Sequence, residues 1–361
     1  MKEEDNLKIG VKLLFCLIWI SMLLISCESK EASVTVTSTP GSSPQVESTT
    51  APHIADYITM TYSQYATTDD NGAIKTQILS YEPDTKEMKK VFEFDYTAQY
   101  PLGFYDKSNE RVYYTQRVDT EKDYGDQIFV RDLAEGASIQ LTESLFAVNY
   151  MIPSGNQLFF VANVKGEQAI RLGAIDLNTN AMTLWGDEDM LVEAITLDHT
   201  NQKIYVSAYS LEQRNYSQTH QDGPAGQNNF KMPAYTVYET DYDLKEKTKL
   251  FSKNYWIRML MNTDGHVYAF CDKEYNKGQD PSTVVDYDIA MKTTNETKWG
   301  TARLQRGEAN YSSDGNKIYA IAIVKNKRGL HEYNVQNNTF TALFTPEDGF
   351  INNIQVVRGN H

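Results

Sequence analysis

The chain has 361 residues, a formal net charge of −14 at pH 7, 12% aromatic residues and three cysteines. A surface this acidic repels phosphate backbones and anionic lipid, which excludes nucleic-acid binding and purely electrostatic adhesion to a membrane. Cysteines at 16, 27 and 271 are too few for a disulfide framework.

The first element is a targeting signal. Lys8 and Lys12 precede an uncharged apolar run over residues 13–25, although Glu3, Glu4 and Asp5 make this start less basic than usual. Roughly 13 residues fall short of the about 20 that span a bilayer, and they suit the apolar region of a secretory signal. The run ends in Leu24-Ile25-Ser26-Cys27, which resembles the lipobox of exported bacterial lipoproteins. That resemblance implies that the Cys27 thiol takes a diacylglycerol before cleavage at its N-terminal side. The competing reading is an ordinary signal peptide with an incidental cysteine. Residues 1–26 are thus expected to be a lipoprotein signal peptide, with Cys27 as the lipidation site. Residues 27–55 are rich in Ser, Thr and Pro, hold no aromatic residue and show no apolar periodicity. Such a segment buries too little surface to offset its ordering entropy, so a disordered tether is expected. One acyl chain anchors only marginally, so stable attachment needs at least two, palmitate among them. The expected location is the extracytoplasmic face of a cell membrane, with lipid as the membrane contact.

Residues 56–361 form the body. Its first three predicted strands are Tyr57-Ile58-Thr59-Met60-Thr61-Tyr62, Lys75-Thr76-Gln77-Ile78-Leu79-Ser80-Tyr81 and Lys89-Lys90-Val91-Phe92-Glu93-Phe94. A unit of roughly 45 to 65 residues then recurs. It opens on alternations such as Arg111-Val112-Tyr113-Tyr114, Gln157-Leu158-Phe159-Phe160, Lys203-Ile204-Tyr205-Val206, His266-Val267-Tyr268-Ala269 and Lys317-Ile318-Tyr319-Ala320. A second strand ends before Asp or Asn, as at Asp132, Asp176, Asp241, Asp288 and Asn334, and a short outer strand follows a polar turn. Period-two alternation with Asn, Asp and Gly turns marks hairpins, and units of this length match four-stranded propeller blades. The last strand, Ile351-Asn352-Asn353-Ile354-Gln355-Val356-Val357, has no partner after it in the chain. Pairing it with the three N-terminal strands completes a sixth blade and leaves no open edge. The expected fold is all-β: a six-bladed β-propeller closed by its two ends. On these blade patterns residues 57–358 resemble the broad class of TolB-like six-bladed propellers, uncharacterised bacterial lipoproteins included. The resemblance implies fold and little function.

Propellers converge their inner strands on a central channel. Those strands align as Tyr100-Pro101-Leu102, Val148-Asn149-Tyr150, Val192-Glu193-Ala194, Ile257-Arg258-Met259, Gly307-Glu308-Ala309 and Ile351-Asn352-Asn353. The middle positions predict a polar ring of Asn149, Glu193, Arg258, Glu308 and Asn352, in which Arg258 grips a carboxylate or phosphate. The competing reading is a water-lined channel in which Arg258 pairs with Glu193 or Glu308. The insertion over residues 209–234 is a second candidate contact surface; its Gln, Asn and Gly content favours a mobile loop.

Catalytic signatures are missing: there is no Gly-x-Ser-x-Gly, P-loop, His-Glu-x-x-His or Cys-x-x-Cys. Asp69-Asp70-Asn71-Gly72 lacks the alternating ligands of a calcium loop and reads as a hairpin turn. His199 and His266 fall in turns, where solvated side chains are ordinary. Cys271 lies in an apolar alternation and reads as a small buried hydrophobe. No catalytic residue, cofactor or metal is expected. The favoured reading is a monomeric, non-catalytic binding module for a protein, peptide or envelope glycan. The alternatives are a metal-assisted hydrolase or lactonase-type enzyme at the channel mouth, and a structural component of an envelope assembly.

Overall fold

The computed structural model describes residues 55–65, 74–97, 99–119, 124–220, 231–263, 265–274, 282–298, 303–304 and 309–359. The predicted signal peptide, Cys27, the tether up to residue 54, the 69–72 turn and Glu308 lie outside the described residues.

The body is built from antiparallel sheets taken in chain order. β1 (Tyr57–Gln64), β2 (Lys75–Glu82) and β3 (Glu87–Asp95) share a sheet with the last strand, β25 (Gly349–Val357), in the order β25-β1-β2-β3. β4 (Gly103–Asp106), β5 (Arg111–Asp119), β6 (Tyr124–Asp132) and β7 (Ser138–Gln140) form the next. β8 (Leu145–Ser154), β9 (Gln157–Val164), β10 (Ile170–Asp176) and β11 (Met182–Trp185) follow, then β12 (Met190–Asp198), β13 (Lys203–Ser210), β14 (Tyr235–Asp241) and β15 (Thr248–Lys253). These two runs touch edge to edge through one parallel pair, Ile170 with Leu191. β16 (Trp256–Thr263), β17 (His266–Asp272), β18 (Thr283–Asp288) and β19 (Thr293–Lys298) make another sheet. The last contains β20 (Arg303–Leu304), β21 (Asn310–Tyr311), β22 (Lys317–Val324), β23 (Lys327–Asn334) and β24 (Thr339–Phe344), with β20 and β21 both paired to β22.

Strand alternation explains how the sheets stack. Ile318, Ala320 and Ala322 of β22 pack on one side with Met259 and Phe270, while Tyr319 and Ile321 pack on the other with Met60 and Ile354. Likewise Leu158 and Phe160 of β9 meet Phe104 and Ile128, while Phe159 and Val161 meet Ile195 and Tyr205. A central strand buried on both faces reads as a near-continuous apolar run, which is what these segments show. Apolar clusters join the sheet of β1 to that of β4 through Ile78 and Val112. They join it also to the sheet of β22 through Ile58 and Leu330.

Polar side chains tie the remaining backbone. The Thr61 hydroxyl accepts from the Gly103 amide at 2.7 Å and donates to the Gly103 carbonyl at 3.0 Å, while Thr59 accepts from Tyr105 N at 3.0 Å. A Cβ at Gly103 would come within 2.5 Å of Ile78, so this close approach of β4 to β1 requires glycine. The recurring strand-end Asp or Asn caps its own turn. Asp176 accepts from the amides of Asn178 and Thr179, Asp132 from Ala134 and Glu135, and Asn334 from Gln336 and Asn337, all within 3.1 Å. Asp56 joins three segments, accepting from Ser313 N at 2.9 Å and from Gly359 N at 2.8 Å.

Asp314 caps the turn before β22. The Ser312 hydroxyl at 2.5 Å and the Asn316 amide at 3.0 Å hold its carboxylate down at about 2. A carboxylate depressed by folding contributes stability above its ordinary pKa near 4, lost as pH falls through about 2. Asp314→Ala is therefore expected to flatten the decline of urea stability between pH 4 and pH 2. A parallel decline in both proteins would contradict this.

Two expectations change. The insertion after β13 begins with a helix, Leu211–Thr219, capped by the Ser210 hydroxyl accepting from Gln213 N at 3.0 Å; residues 221–230 lie outside the described residues. Tyr100-Pro101-Leu102 precedes β4 instead of belonging to it. Pro101 has no N–H to donate to a ladder.

Candidate functional site

The predicted ring positions share a local geometry that composition does not show. Asn149, Glu193, Arg258 and Asn352 each fall where the register of an inner strand slips by one residue. Val148 and Tyr150 pair with Ala162 and Val161, skipping Asn149. Val192 and Ala194 pair with Ala208 and Ser207, skipping Glu193. Ile257 and Met259 pair with Cys271 and Phe270, skipping Arg258. Ile351 and Asn353 pair with Tyr62 and Thr61, skipping Asn352. A bulge adds one unpaired residue and re-aims the side chains around it. The slip is visible in the packing: Ile257 and Leu260 join one apolar cluster, while Met259 and Met261 join the next. Glu308 lies outside the described residues, so its place in the ring is not assigned.

These four residues have different surroundings. Arg258 is buried, with Nε 2.7 Å from the Asp272 carboxylate and Nη2 donating to Ser282 Oγ at 3.0 Å. Asp272 is fully buried. The Arg258 charge is thus answered from the end of β17 by Asp272, a partner that the comparison of ring positions did not include. Glu193 is half-buried. Asn149 and Asn352, also half-buried, meet in one cavity of about 270 Å³ that excludes Glu193 and Arg258.

That cavity lies against the early residues of β8 and β25 and the segment before β4. Its walls include Asn149, Asn352 and Asn353 with Tyr100, Tyr150 and Phe350, and Arg328 of β23 also lines it. Asn352 Nδ2 donates to Ser63 Oγ at 2.8 Å, which fixes the amide. Phe350 packs against Tyr65 and Tyr96 with ring centroids 5.8 and 6.5 Å away, and Tyr65 and Tyr100 are exposed. Burial holds the Arg328 guanidinium below its ordinary value, with the Tyr65 hydroxyl opposing the shift. The ring alignment found Asn149 and Asn352 but missed Arg328, Tyr100 and Phe350. The available signal was Lys325-Asn326-Lys327-Arg328, a basic run in an acidic chain.

A larger cavity, about 510 Å³, lies at the opposite ends of the inner strands, lined by Ser154, His199, Asn262, Asn310 and Arg358 among others. His199 keeps a water-facing edge, but its Nδ1 lies 3.0 Å from the Ser154 hydroxyl and 3.2 Å from that of Tyr242. Crowding by protein lowers its pKa, Arg358 adds to the effect and Asp198 opposes it. His199 is thus an exposed turn histidine, as expected, with its Nδ1 held by two neighbouring hydroxyls. Among the described residues no group of three or more His, Cys, Asp or Glu is placed to hold a metal.

Cys271 is fully buried, and its Sγ donates to the Ala269 carbonyl at 3.3 Å. Burial pushes the thiol up to about 12. A thiolate this disfavoured is unreactive. Cys271 itself is expected to resist a thiol reagent at pH 8 and to label only as fast as the body unfolds. Prompt stoichiometric labelling would contradict that assignment.

Antiparallel four-stranded sheets stacked through doubly buried strands define a β-propeller. The chain is similar in structure to TolB from Acinetobacter baumannii, with a TM-score of 0.54, 13% identity, and coverage of 84% of this chain and 66% of TolB. It is similar also to a chain in the crystal structure of a nidogen/laminin complex, with a TM-score of 0.52, 12% identity, and coverage of 83% of this chain and 98% of that one. The protein has a TolB-like propeller fold. No protein-family model matches the sequence. No curated protein matches it either.

Proposed function

We propose that this protein is a membrane-tethered binding module: a six-bladed propeller, closed by pairing β25 with β1, whose cavity beside Asn149 and Asn352 takes a protein, peptide or envelope-glycan ligand. The lipid sits on Cys27, and the 27–55 segment holds the body off the membrane on the extracytoplasmic side. Support for the ring comes from the β25–β1 register and from the apolar packing of the first sheet on those of both β4 and β22. Support for the binding reading is one observation above all. Three amides and an aromatic rim, much of it solvent-facing, surround a cavity of about 270 Å³. Ligand sites are commonly concave, mostly apolar and furnished with a few convergent polar groups. A chain of similar fold belongs to the nidogen/laminin complex, so this architecture is compatible with holding a macromolecular partner.

The test has two arms. Cys27→Ala should move the protein from the membrane to the soluble fraction, and a variant still firmly membrane-bound would overturn the lipid anchor. Tyr100→Ala with Phe350→Ala should weaken capture of envelope material while Met291→Ala, at an exposed position on the far hairpin of β18 and β19, leaves it intact. Equal capture by all three proteins would sink the cavity.

A further inference from the structure

Arg328 sits just beyond the tight turn of Lys325 and Asn326, whose φ values of 50° and 64° suit a two-residue hairpin. It is half-buried in the cavity wall, and among the described residues no carboxylate pairs with it, although the Tyr65 hydroxyl lies near enough to act on its charge. The contrast with Arg258, which meets Asp272 at 2.7 Å, is chemical. A guanidinium remains protonated at any physiological pH. Partly desolvated and without a counter-charge among the described residues, it is unfavourable until an anion arrives.

The rest of the lining narrows the anion. A single guanidinium fork suits a planar monoanionic carboxylate, whereas a dianionic phosphate calls for further positive charge or a helix N-terminus. Capture of a peptide C-terminus commonly uses a nest of backbone amides. The lining here consists of strand side chains and bulge residues, with Tyr100 and Leu102 from the segment before β4. Asn149, Asn352 and Asn353 each offer a donor and an acceptor, matching hydroxyls that are themselves both. Tyr100 and Phe350 offer flat apolar faces on which the C–H face of a sugar ring loses water. A volume of about 270 Å³ limits the buried part to roughly one ring.

Resting on the binding reading above, we infer that this cavity takes one uronate-type acidic sugar residue of a glycan, its carboxylate on Arg328 and its hydroxyls on the three asparagine amides. The experiment is calorimetric titration of the full lipidated chain in detergent micelles. Its probes are a glucuronate-containing tetrasaccharide and the same tetrasaccharide with carboxyls reduced to alcohols. Inorganic phosphate and a tetrapeptide with a free C-terminus serve as competitors. The acidic tetrasaccharide should bind at least about tenfold more tightly than its reduced form. Arg328→Gln should erase that preference without lowering the thermal midpoint, since it removes an unpaired, partly desolvated charge. Equal affinity of the two sugars would overturn the carboxylate assignment while leaving a glycan-binding module. A preference that survives Arg328→Gln would overturn the role of Arg328. Displacement by phosphate or peptide at lower concentration than the acidic sugar, or binding of no probe, would overturn the sugar assignment. In either case, envelope capture that still depends on Tyr100 and Phe350 would leave the binding reading standing, and its loss would remove both.

Discussion

Deleting residues 349–361 is expected to abolish cooperative unfolding of the whole body. β25 lies alongside β1 from Val357 opposite Tyr57 to Gly349 opposite Gln64. It buries Ile351, Ile354 and Val356 against Tyr319, Ile321 and Leu330. Three buried aliphatic side chains at about 1.5–3 kcal/mol each amount to about 5–9 kcal/mol. That approaches the entire 5–15 kcal/mol that typically holds a native domain. The deletion also removes the Gly359 amide from Asp56 and the Gln355 side-chain donor from the Met151 carbonyl, and it leaves β1 as an open edge. Urea titration followed by circular dichroism should show no sigmoidal transition, with dye-binding apolar surface already exposed in buffer. A truncated chain with the parental midpoint would show that the two ends do not close the structure.

Arg258→Ala should cost about 3–5 kcal/mol, because it strands the Asp272 carboxylate in the core. Asp272→Ala should cost a similar amount for the reciprocal reason. Replacing both, with Arg258→Met and Asp272→Leu, should recover most of the loss, since a buried pair exchanged for apolar side chains is often neutral. Equilibrium urea denaturation of the three variants measures this directly. A loss below about 1 kcal/mol in both single variants would place Arg258 in solvent. It would then return to candidacy as a ligand anchor. Arg258 thus belongs to the scaffold in this account, and Arg328 to the site.

Much of the fold was readable because each strand carries its own mark. Lys317-Ile318-Tyr319-Ala320 alternates between two apolar faces, and Asp176 or Asn334 caps the turn that follows. The bulges were less readable, since an inserted residue leaves no compositional trace. Their mark was a phase slip: apolar side chains at Ile257, Met259, Leu260 and Met261 break strict alternation around Arg258. The partner of Arg258 was missed because only residues at one level of the channel were compared, while Asp272 lies across the β16–β17 hairpin beside Ile257's partner Cys271. The helix in the insertion also had a signal, Ser210 followed three residues later by Gln213, the pattern of a capping box. Arg328 carried only the basic run it ends; its role rests on three-dimensional placement beside Asn149 and Asn352 and on the lack of a carboxylate among the described residues near it.

The central claim is that ligand is held where the inner strands begin. Photo-cross-linking in the intact envelope tests it, with a photoreactive residue placed in turn at Tyr100, at His199 beside the opposite cavity and at Met291 in the β18–β19 turn. A discrete adduct is expected from position 100, competed by the acidic tetrasaccharide, and none of comparable yield from 199 or 291. Adducts concentrated at position 199 or 291, with position 100 silent, would contradict it.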